Sequence, residues 1–328
     1  MRLCFLIPNS DYYLKFFSDI NENEQVVVFD KLLSAICKIY KKKNNTLNFL
    51  NEIFYNIILE KLSREIDFNN LDILVVTDLT QKSLPRGFIK WVKKQFPSIQ
   101  MILLFYNKVS TLYGLNGDIT MEELPERNIM LPFDKIFTYD SMEAKKFGFK
   151  NFVIFSNISE SIAMEDKQNE SIVFYCGSVG KAWKLDRYHE VDKVYKYLQS
   201  NNIKCDFRLV FDSSVPLPEC EYAFTTKISY QEMIRRSIQS NVILEIVSER
   251  KSGITSRFYE ALMYNKKFLT NNKTILKNHY YNEKFMKVFS DPSDIDLDWV
   301  KAKVNVDYKY QNEYTPKGFY ELMEKYYS

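Results

Sequence analysis

Histidine and closely spaced cysteines, the residues from which most zinc sites are built, are nearly absent from this sequence. It has only two histidines, His189 and His279, and none of its five cysteines belongs to a Cys-x-x-Cys pair. A zinc site is therefore not expected. An odd number of scattered cysteines is typical of free thiols in a reducing compartment. Histidine is excluded as a general base in the N-terminal half, because no histidine precedes His189.

Long apolar runs are also lacking. No stretch of about 18–20 apolar residues, the length that crosses a bilayer, occurs in the chain. The apolar segment 3–7 is too short for the core of a signal peptide, and charged residues follow it soon. We therefore expect a cytoplasmic protein. The net charge is only +3 and no long basic face stands out, so a nucleic-acid partner is not expected.

Glycine and proline are few, with 8 and 9 residues, whereas 46% of the chain is hydrophobic and 16% aromatic. This balance favours regular strands and long helices with packed cores over loop-rich modules. A chain of 328 residues has the length of two domains of ordinary size.

The first half alternates apolar strands with segments of helical periodicity, which predicts a mostly parallel sheet covered by helices. We assign residues 1–165 to this first Rossmann-like domain. The Lys41–Asn45 stretch is expected to break one long helical segment into two helices. The predicted strands are 3–7, 26–29, 71–76, 101–105, 133–139 and 152–155, and the predicted helices lie within 31–66, 86–95 and 141–147.

A polar and acidic segment, 159–170, is predicted to be a linker, after which the alternation starts again. Residues 171–315 are assigned to a second Rossmann-like domain, and 316–328 to a C-terminal helix that begins at a proline. Two successive α/β domains of similar size imply a cleft between them. The predicted strands of the second domain are 171–176, 206–211, 242–246 and 267–270, and its predicted helices are 187–199, 230–237 and 256–264.

The first candidate binding segment lies between a strand and a helix of the second domain. Glycines let a backbone approach a ligand closely, and a helix N-terminus with nearby cations suits a diphosphate. The spacing fits neither a Walker A loop nor the Gly-x-Gly-x-x-Gly fingerprint. An ordinary turn with solvated lysines remains the alternative. The candidate residues are Gly177, Ser178, Lys181, Lys184 and Arg187.

The second candidate segment opens the helix predicted at 256–264. Thr255 and Ser256 are good N-cap residues whose hydroxyls can also reach phosphate oxygens. Glu260, one turn inside the helix, can accept both hydroxyls of a ribose. The alternative is a capped helix with a solvated glutamate. Both segments follow carboxyl ends of strands, where open α/β sheets bind ligands. The candidate residues are Ser252, Gly253, Thr255, Ser256, Arg257 and Glu260.

The segment Tyr230–Asn272, with its Ser-Gly-Ile-Thr-Ser-Arg-Phe-Tyr-Glu-Ala-Leu sequence, resembles the nucleotide-sugar site of GT-B glycosyltransferases. It is most similar to bacterial enzymes of capsule, exopolysaccharide and lipopolysaccharide assembly. The resemblance implies that Glu260 binds the ribose and that Thr255, Ser256 and Arg257 face the phosphates. It further implies that Gly177, Ser178 and Lys184 form the other diphosphate-side loop, and that the donor is a nucleoside-diphosphate sugar, with a UDP-sugar preferred.

The resemblance leaves the chemistry open at one position. Many retaining members carry two glutamates separated by seven residues, but here the position before Glu260 at that spacing is Ser252. If the reaction is inverting, it needs a general base on the first domain. Asp11 and Asp78, each placed after a strand, are the candidates, with Asp11 preferred. Capping or turn formation is the alternative role for both.

GT-B enzymes generally stabilise the leaving diphosphate without a bound metal, so the resemblance implies that neither a metal nor a cofactor is needed. The acidic run 294–298 looks like a metal motif, but helix capping ahead of Trp299 explains it better. The acceptor implied is a glycan or a lipid-linked glycan. The Lys41–Lys43 run is interpreted either as a contact with the inner face of the cytoplasmic membrane or as a solvated helix end.

Three functions remain at this point. The first is the glycosyltransferase. The second is a non-catalytic nucleotide-sugar-binding partner or sensor on the same fold. The serine at position 252, where many retaining enzymes have a glutamate, favours this function. The third is a different α/β enzyme such as a sugar-nucleotide epimerase. The absence of the Gly-x-Gly-x-x-Gly fingerprint is evidence against this function.

Overall fold

The computed structural model describes residues 1–17, 20, 22–43, 48–114, 119–124, 127–152, 154, 172–179, 185–247 and 253–327. The chain divides into two compact α/β units. The first unit consists of residues 1–157 together with 314–328, and the second of residues 158–313. The C-terminal helix therefore belongs to the first unit. The linker predicted at 159–170 lies outside the described residues.

Six parallel strands form one sheet in the described part of the first unit, in the order β2-β1-β3-β4-β5-β6. The central strands β3 and β4 are buried along almost their whole length, as their unbroken apolar sequences predict. The strands are β1 (Leu3–Pro8), β2 (Glu24–Phe29), β3 (Ile73–Thr77), β4 (Gln100–Phe105), β5 (Lys135–Thr138) and β6 (Lys150–Asn151).

The last strand of this sheet differs from the prediction. The strand expected at 152–155 lies instead at Lys150–Asn151, and both of its residues are exposed. Residues 153 and 155 lie outside the described part of the chain. The apolar residue Phe152 follows the strand and serves packing, since its ring lies 6.1 Å from that of Phe137 and 5.6 Å from that of Phe319, measured between centroids. A short polar edge strand gives no apolar signal in the sequence.

Helices cover this sheet, and the predicted division of the long helical segment is confirmed. One helix ends at Lys43 and the next begins at Asn48. No helix in the described part of either unit combines the length and apolar character needed to cross a membrane. The helices of the first unit are Asp11–Phe16, Lys31–Lys43, Asn48–Leu62, Asp78–Ser83, Phe88–Gln95, Val109–Tyr113, Arg127–Met130, Ser141–Phe147 and Pro316–Tyr327.

The second unit has its own sheet, with six parallel strands among its described residues in the order β12-β11-β10-β7-β8-β9. If β7 to β12 are renumbered 1 to 6, the sheet has the order 6-5-4-1-2-3, which is the Rossmann order 3-2-1-4-5-6 seen from the other edge. The strand order reverses between β7 and β10, which are neighbours at the centre of the sheet. The strands are β7 (Ile172–Val179), β8 (Lys204–Phe211), β9 (Ala223–Phe224), β10 (Val242–Glu245), β11 (Lys267–Thr270) and β12 (Met286–Val288).

The helices of the second unit follow its strands at the predicted places. Each unit buries its own apolar cluster between sheet and helices. Ligands of such sheets bind outside the carboxyl ends of the strands where the order reverses. The carboxyl ends of β7 and β10 are therefore the first place to look for a site. The described helices are Leu185–Ser200, Tyr230–Gln239, Ser256–Met263 and Leu297–Lys301.

The helix Tyr230–Gln239 is fixed at its start by a charged network. Glu232 accepts hydrogen bonds from Arg235 and Arg236, each at 2.7 Å from the Nε atom. Arg236 also donates to Asp206 on β8 at 2.7 Å. The hydrogen bonds from Arg235 and Arg236 lower the pKa of Glu232 to about 2, against the opposing effect of partial burial. This network ties the helix to the sheet.

Glu232→Gln should therefore destabilise the protein at neutral pH. A carboxylate whose pKa is depressed stabilises the fold above its unfolded pKa of 4.5 and loses that effect as the pH falls through about 2. Because the side chain is partly exposed, we expect a loss of about 1–2 kcal/mol at pH 7. Urea unfolding of both proteins between pH 7 and pH 2 measures this. A stability difference that stays constant over that range would contradict it.

Candidate functional site

The two segments that the sequence analysis singled out meet at the carboxyl ends of β7 and β10. Arg257, in the first turn of the helix Ser256–Met263, donates from Nη2 to the backbone carbonyl of Cys176 on β7 at 3.4 Å. Arg187, at the start of the helix Leu185–Ser200, donates from Nη1 to the carbonyl of Ser178 at 3.4 Å. Both helices thus begin beside the end of β7, at the place where the strand order reverses.

A buried ion pair lies at the centre of this edge. Arg257 donates from Nη1 to a carboxylate oxygen of Glu260, and the Tyr230 hydroxyl lies 3.4 Å from the other oxygen. The Glu260 side chain is 1% exposed and that of Arg257 is 16% exposed. Burial raises the pKa of Glu260, while Arg257 and Tyr230 oppose the shift. Burial alone would lower the pKa of Arg257, but the adjacent Glu260 holds it above its ordinary value.

This pair leaves acceptor capacity at Glu260. An ionised carboxylate has about four lone-pair positions, and within the described part of the chain the Arg257 and Tyr230 contacts use two of them. The remaining positions can accept two hydroxyl donors, as a vicinal diol provides. The adjacent guanidinium favours the ionised form of this carboxylate in a buried place, where an unpaired charge would be costly.

Thr255 caps the helix that carries the pair. Its hydroxyl oxygen accepts from the Arg257 backbone N–H at 3.2 Å, and its hydrogen is donated to Glu245, the last residue of β10. The predicted N-cap role is thereby confirmed. The resemblance also implied that Thr255 faces phosphates, but its one hydroxyl hydrogen is already used by Glu245. We call the set of Tyr230, Glu245, Thr255, Arg257 and Glu260 the switch-point site.

The sequence analysis did not identify Glu245. The predicted strand 242–246 includes Glu245, and the apolar pattern gave this residue no separate role. In the structure the side chain is itself buried, with 3% exposure, and accepts a second hydrogen bond from the Thr270 hydroxyl at 2.6 Å. The available signal was a carboxylate at the end of a strand, with threonines soon after it at the start of a helix and at the end of the next strand.

Side chains that follow β11 form hydrogen bonds with the backbone between β10 and the capped helix. Gly253 has φ of +93°, a conformation that glycine adopts without strain. Its carbonyl accepts from the Asn272 side-chain amide at 3.0 Å. Asn271 and the backbone of Val247 exchange two hydrogen bonds of 2.8 and 2.9 Å. Ser252 lies outside the described residues.

No protein-family model and no curated protein matches the chain. Among solved structures, an α-glucosyltransferase in complex with UDP and a 13-mer DNA containing a central A:G mismatch is similar to it. The TM-score is 0.53 at 14% identity, over 92% of this chain and 90% of that one.

A UDP-N-acetylglucosamine 2-epimerase from Rickettsia bellii is also similar, over 99% of this chain and 97% of that one, at 10% identity and a TM-score of 0.45. The similarity to the α-glucosyltransferase structure, together with the two parallel sheets, decides the fold. The chain has a two-domain GT-B-like α/β fold.

Within this GT-B-like fold, the structure corrects the first candidate segment. Gly177 and Ser178 were predicted in a loop, but both lie in β7, which pairs with β8 as far as Val179 opposite Phe211. Lys181 and Lys184 lie outside the described residues. A Cβ atom on Gly177 would stand 2.5 Å from the hydroxyl oxygen of Tyr175 and 2.9 Å from its Cζ. Glycine is needed here for packing against this ring, and not for a turn.

Gly177→Ala should consequently lower the free energy of unfolding by about 1–3 kcal/mol, as overpacking of a core usually does. The Tyr175 ring is buried against Phe207 at a centroid distance of 5.5 Å, so it has little room to yield. Urea unfolding gives the value. Adding Tyr175→Leu should recover part of the loss, because the shorter side chain removes the clash. Strict additivity of the two substitutions would count against this explanation.

In the first unit, Asp78 is an anchor for the loop after β4. Its carboxylate is fully buried and accepts from the backbone of Leu79, Tyr106 and Asn107, at 2.8 to 3.2 Å, and from the Asn107 side chain at 3.0 Å. Burial raises the pKa of Asp78 to about 6, although the Asn107 contacts oppose it. A general base must reach the acceptor hydroxyl. The Asp78 carboxylate is buried and already accepts four hydrogen bonds, so the structure does not support Asp78 as the base.

A second carboxylate anchors the same loop. Glu143 accepts from the backbone of Val109 and Ser110 at 2.9 and 3.2 Å, and from the Ser110 hydroxyl at 3.1 Å.

Asp11, the other candidate base, is the first residue of the helix Asp11–Phe16 after β1. Its side chain lies outside the described part of the structure, so its role stays a prediction.

The acidic run near the C-terminus forms helix caps. Asp296 accepts from the backbone N–H of Trp299 at 2.9 Å, which confirms the capping predicted for this residue. Asp291 and Asp294 form a capping box one turn earlier. Among the residues described, no group of three or more histidine, cysteine, aspartate or glutamate side chains is arranged to hold a metal ion.

Proposed function

We propose that this protein is a glycosyltransferase that moves a sugar from a nucleoside-diphosphate sugar, preferably a UDP-sugar, to a hydroxyl of a surface-glycan acceptor. The observation that carries the proposal is the buried Arg257–Glu260 pair at the point where the strand order of the second sheet reverses. It is supported by the GT-B-like fold and by the segment Tyr230–Asn272, which resembles the nucleotide-sugar site of that class.

In this proposal Glu260 accepts hydrogen bonds from the two ribose hydroxyls. Arg257 keeps the carboxylate ionised, so that both bonds are charge-assisted and therefore stronger than neutral ones. The uncharged Gln or Ala at this position could not provide them.

The diphosphate is proposed to lie at the start of the helix Ser256–Met263. The first N–H groups of a helix have no partner within it, and the helix dipole favours an anion there. Ser256 supplies a hydroxyl, and Arg187 supplies positive charge beside the end of β7. Lys181 and Lys184 are proposed to add charge from the same side. These groups would stabilise the leaving diphosphate without a metal ion.

The acceptor is proposed to be a glycan or a lipid-linked glycan, as the sequence resemblance implies. Contact of the Lys41–Lys43 run with the inner face of the cytoplasmic membrane would bring the protein to such an acceptor. If the reaction inverts the anomeric centre, Asp11 is proposed as the base, since Asp78 is buried and fully bonded.

The test is the release of UDP from UDP-glucose, UDP-galactose and UDP-N-acetylglucosamine, with and without glycan acceptors. We expect one donor to be turned over, Glu260→Ala to be inactive, and Glu232→Gln to be as active as the wild type because Glu232 lies in a separate network. Binding of UDP without release of UDP from any donor would support a non-catalytic nucleotide-sugar-binding partner instead. Failure to bind any nucleoside diphosphate would contradict both functions.

A further inference from the structure

Glu245 occupies a position between two hydroxyl groups at the end of β10. One carboxylate oxygen accepts from Thr255 and the other accepts from Thr270 at 2.6 Å. Glu245 and Thr270 are both buried, with 3% and 0% exposure. Burying a carboxylate is costly unless its oxygens are satisfied, so this arrangement fixes the direction of both hydroxyls.

The contact with Thr255 determines how that hydroxyl can be used. A threonine hydroxyl has one hydrogen to donate and two lone pairs that accept. The hydrogen is donated to Glu245, so a lone pair points at the helix and accepts from the Arg257 N–H at 3.2 Å. The contact with Glu245 thus fixes the orientation in which the Thr255 hydroxyl caps the helix.

The contact with Thr270 reaches the other side of the same segment. The Thr270 hydroxyl oxygen accepts from the Asn272 backbone N–H at 3.0 Å, and the Asn272 side chain donates to the Gly253 carbonyl at 3.0 Å. Gly253 and Thr255 flank the turn into the helix Ser256–Met263. One carboxylate thus holds this turn from both ends, directly at Thr255 and through Thr270 and Asn272 at Gly253.

We propose that Glu245 is a positioning residue for the diphosphate half of the donor site. It does not touch the nucleotide. It aims the N-terminal turn of the helix Ser256–Met263, and with it the Ser256 backbone N–H and hydroxyl, at the phosphates. The inference rests on the proposed function, because it assumes that a nucleoside diphosphate binds at this turn.

A positioning role predicts a loss that depends on the phosphates. Glu245→Gln keeps the shape of the side chain but replaces one accepting oxygen with a donor group. We expect its affinity for UDP to fall about tenfold or more, the effect of losing a hydrogen bond to a charged group. Its affinity for uridine, which lacks phosphates, should change less than twofold. Isothermal titration calorimetry of both ligands gives the two ratios.

Two further variants test the path. Thr255→Val removes the hydroxyl itself and should reproduce the selective loss for UDP. The double variant should be no weaker than either single variant, because both changes break one connection. Glu232→Gln makes the same chemical change outside the site and should bind UDP like the wild type.

Several results would overturn the inference. Wild-type affinity of Glu245→Gln for UDP would do so, as would an equal loss for UDP and uridine, which would indicate general damage to the site. Additive losses in the double variant would also contradict it. If Glu245→Gln does not fold, Thr255→Val alone decides between selective and equal loss. If the wild-type protein binds neither ligand, the proposed function fails and the inference fails with it.

Discussion

Replacing Arg257 with methionine should lower the free energy of unfolding by about 3–5 kcal/mol, because it leaves the carboxylate of Glu260 buried without its cation. Glu260 is 1% exposed, so water cannot take the place of the guanidinium. Urea unfolding measures the loss. Arg235→Met is the matched control: Arg235 also pairs with a glutamate, but its side chain is 42% exposed, and we expect a loss of at most about 1 kcal/mol there.

The ion pair further predicts that the loss can be reversed. Adding Glu260→Gln to Arg257→Met removes the uncompensated charge, and neutral pairs of similar volume are often as stable as the buried ion pair they replace. The double variant should therefore be more stable than Arg257→Met alone. If the double variant shows the summed losses of the two single variants, the two residues do not act as a pair and this account of the site is wrong.

Glu260→Ala should weaken the binding of UDP by about 100-fold or more. Two hydrogen bonds from the ribose hydroxyls to a carboxylate would be lost, each worth about 1.5–3 kcal/mol. Isothermal titration calorimetry gives the dissociation constants. Glu232→Ala, a truncation of a glutamate in the same unit but outside the switch-point site, should leave the affinity unchanged.

The ligand itself supplies a second control for Glu260. A UDP analogue without the 2′ and 3′ hydroxyls should bind the wild-type protein about as weakly as UDP binds Glu260→Ala. The same analogue should lose little more affinity in the variant, because the contact is already absent. Equal affinity of the wild-type protein for UDP and the analogue would show that Glu260 does not bind the ribose.

The architecture followed from the sequence where strands are buried on both faces. β3 and β4 are continuous apolar runs, and such runs leave few alternatives in an α/β chain. The short edge strands β6, β9 and β12 have two or three residues each. Their pairing is decided by the neighbouring strand and not by their own composition, so the sequence carried little sign of them.

In the candidate site, too, the residues with a local sequence signal were predicted, and those whose role depends on distant contacts were not. Thr255, Arg257 and Glu260 were identified because a capped helix start after a buried strand is a local signal. The position of Gly177 was predicted wrongly because glycine usually marks a turn, whereas here it makes room for the Tyr175 ring. Glu245 was missed because its importance depends on contacts with Thr255 and Thr270, 10 and 25 residues further along the chain.

The central claim is that a nucleoside-diphosphate sugar binds at the carboxyl ends of β7 and β10. Photolabelling with 5-azido-UDP-glucose, followed by digestion and mass mapping of the labelled peptides, tests it most directly. The account predicts label within residues 172–187 and 242–263 that is abolished by excess UDP and absent in Glu260→Ala. Label that UDP displaces but that lies within residues 1–157, or no displaceable label in either unit, would contradict it.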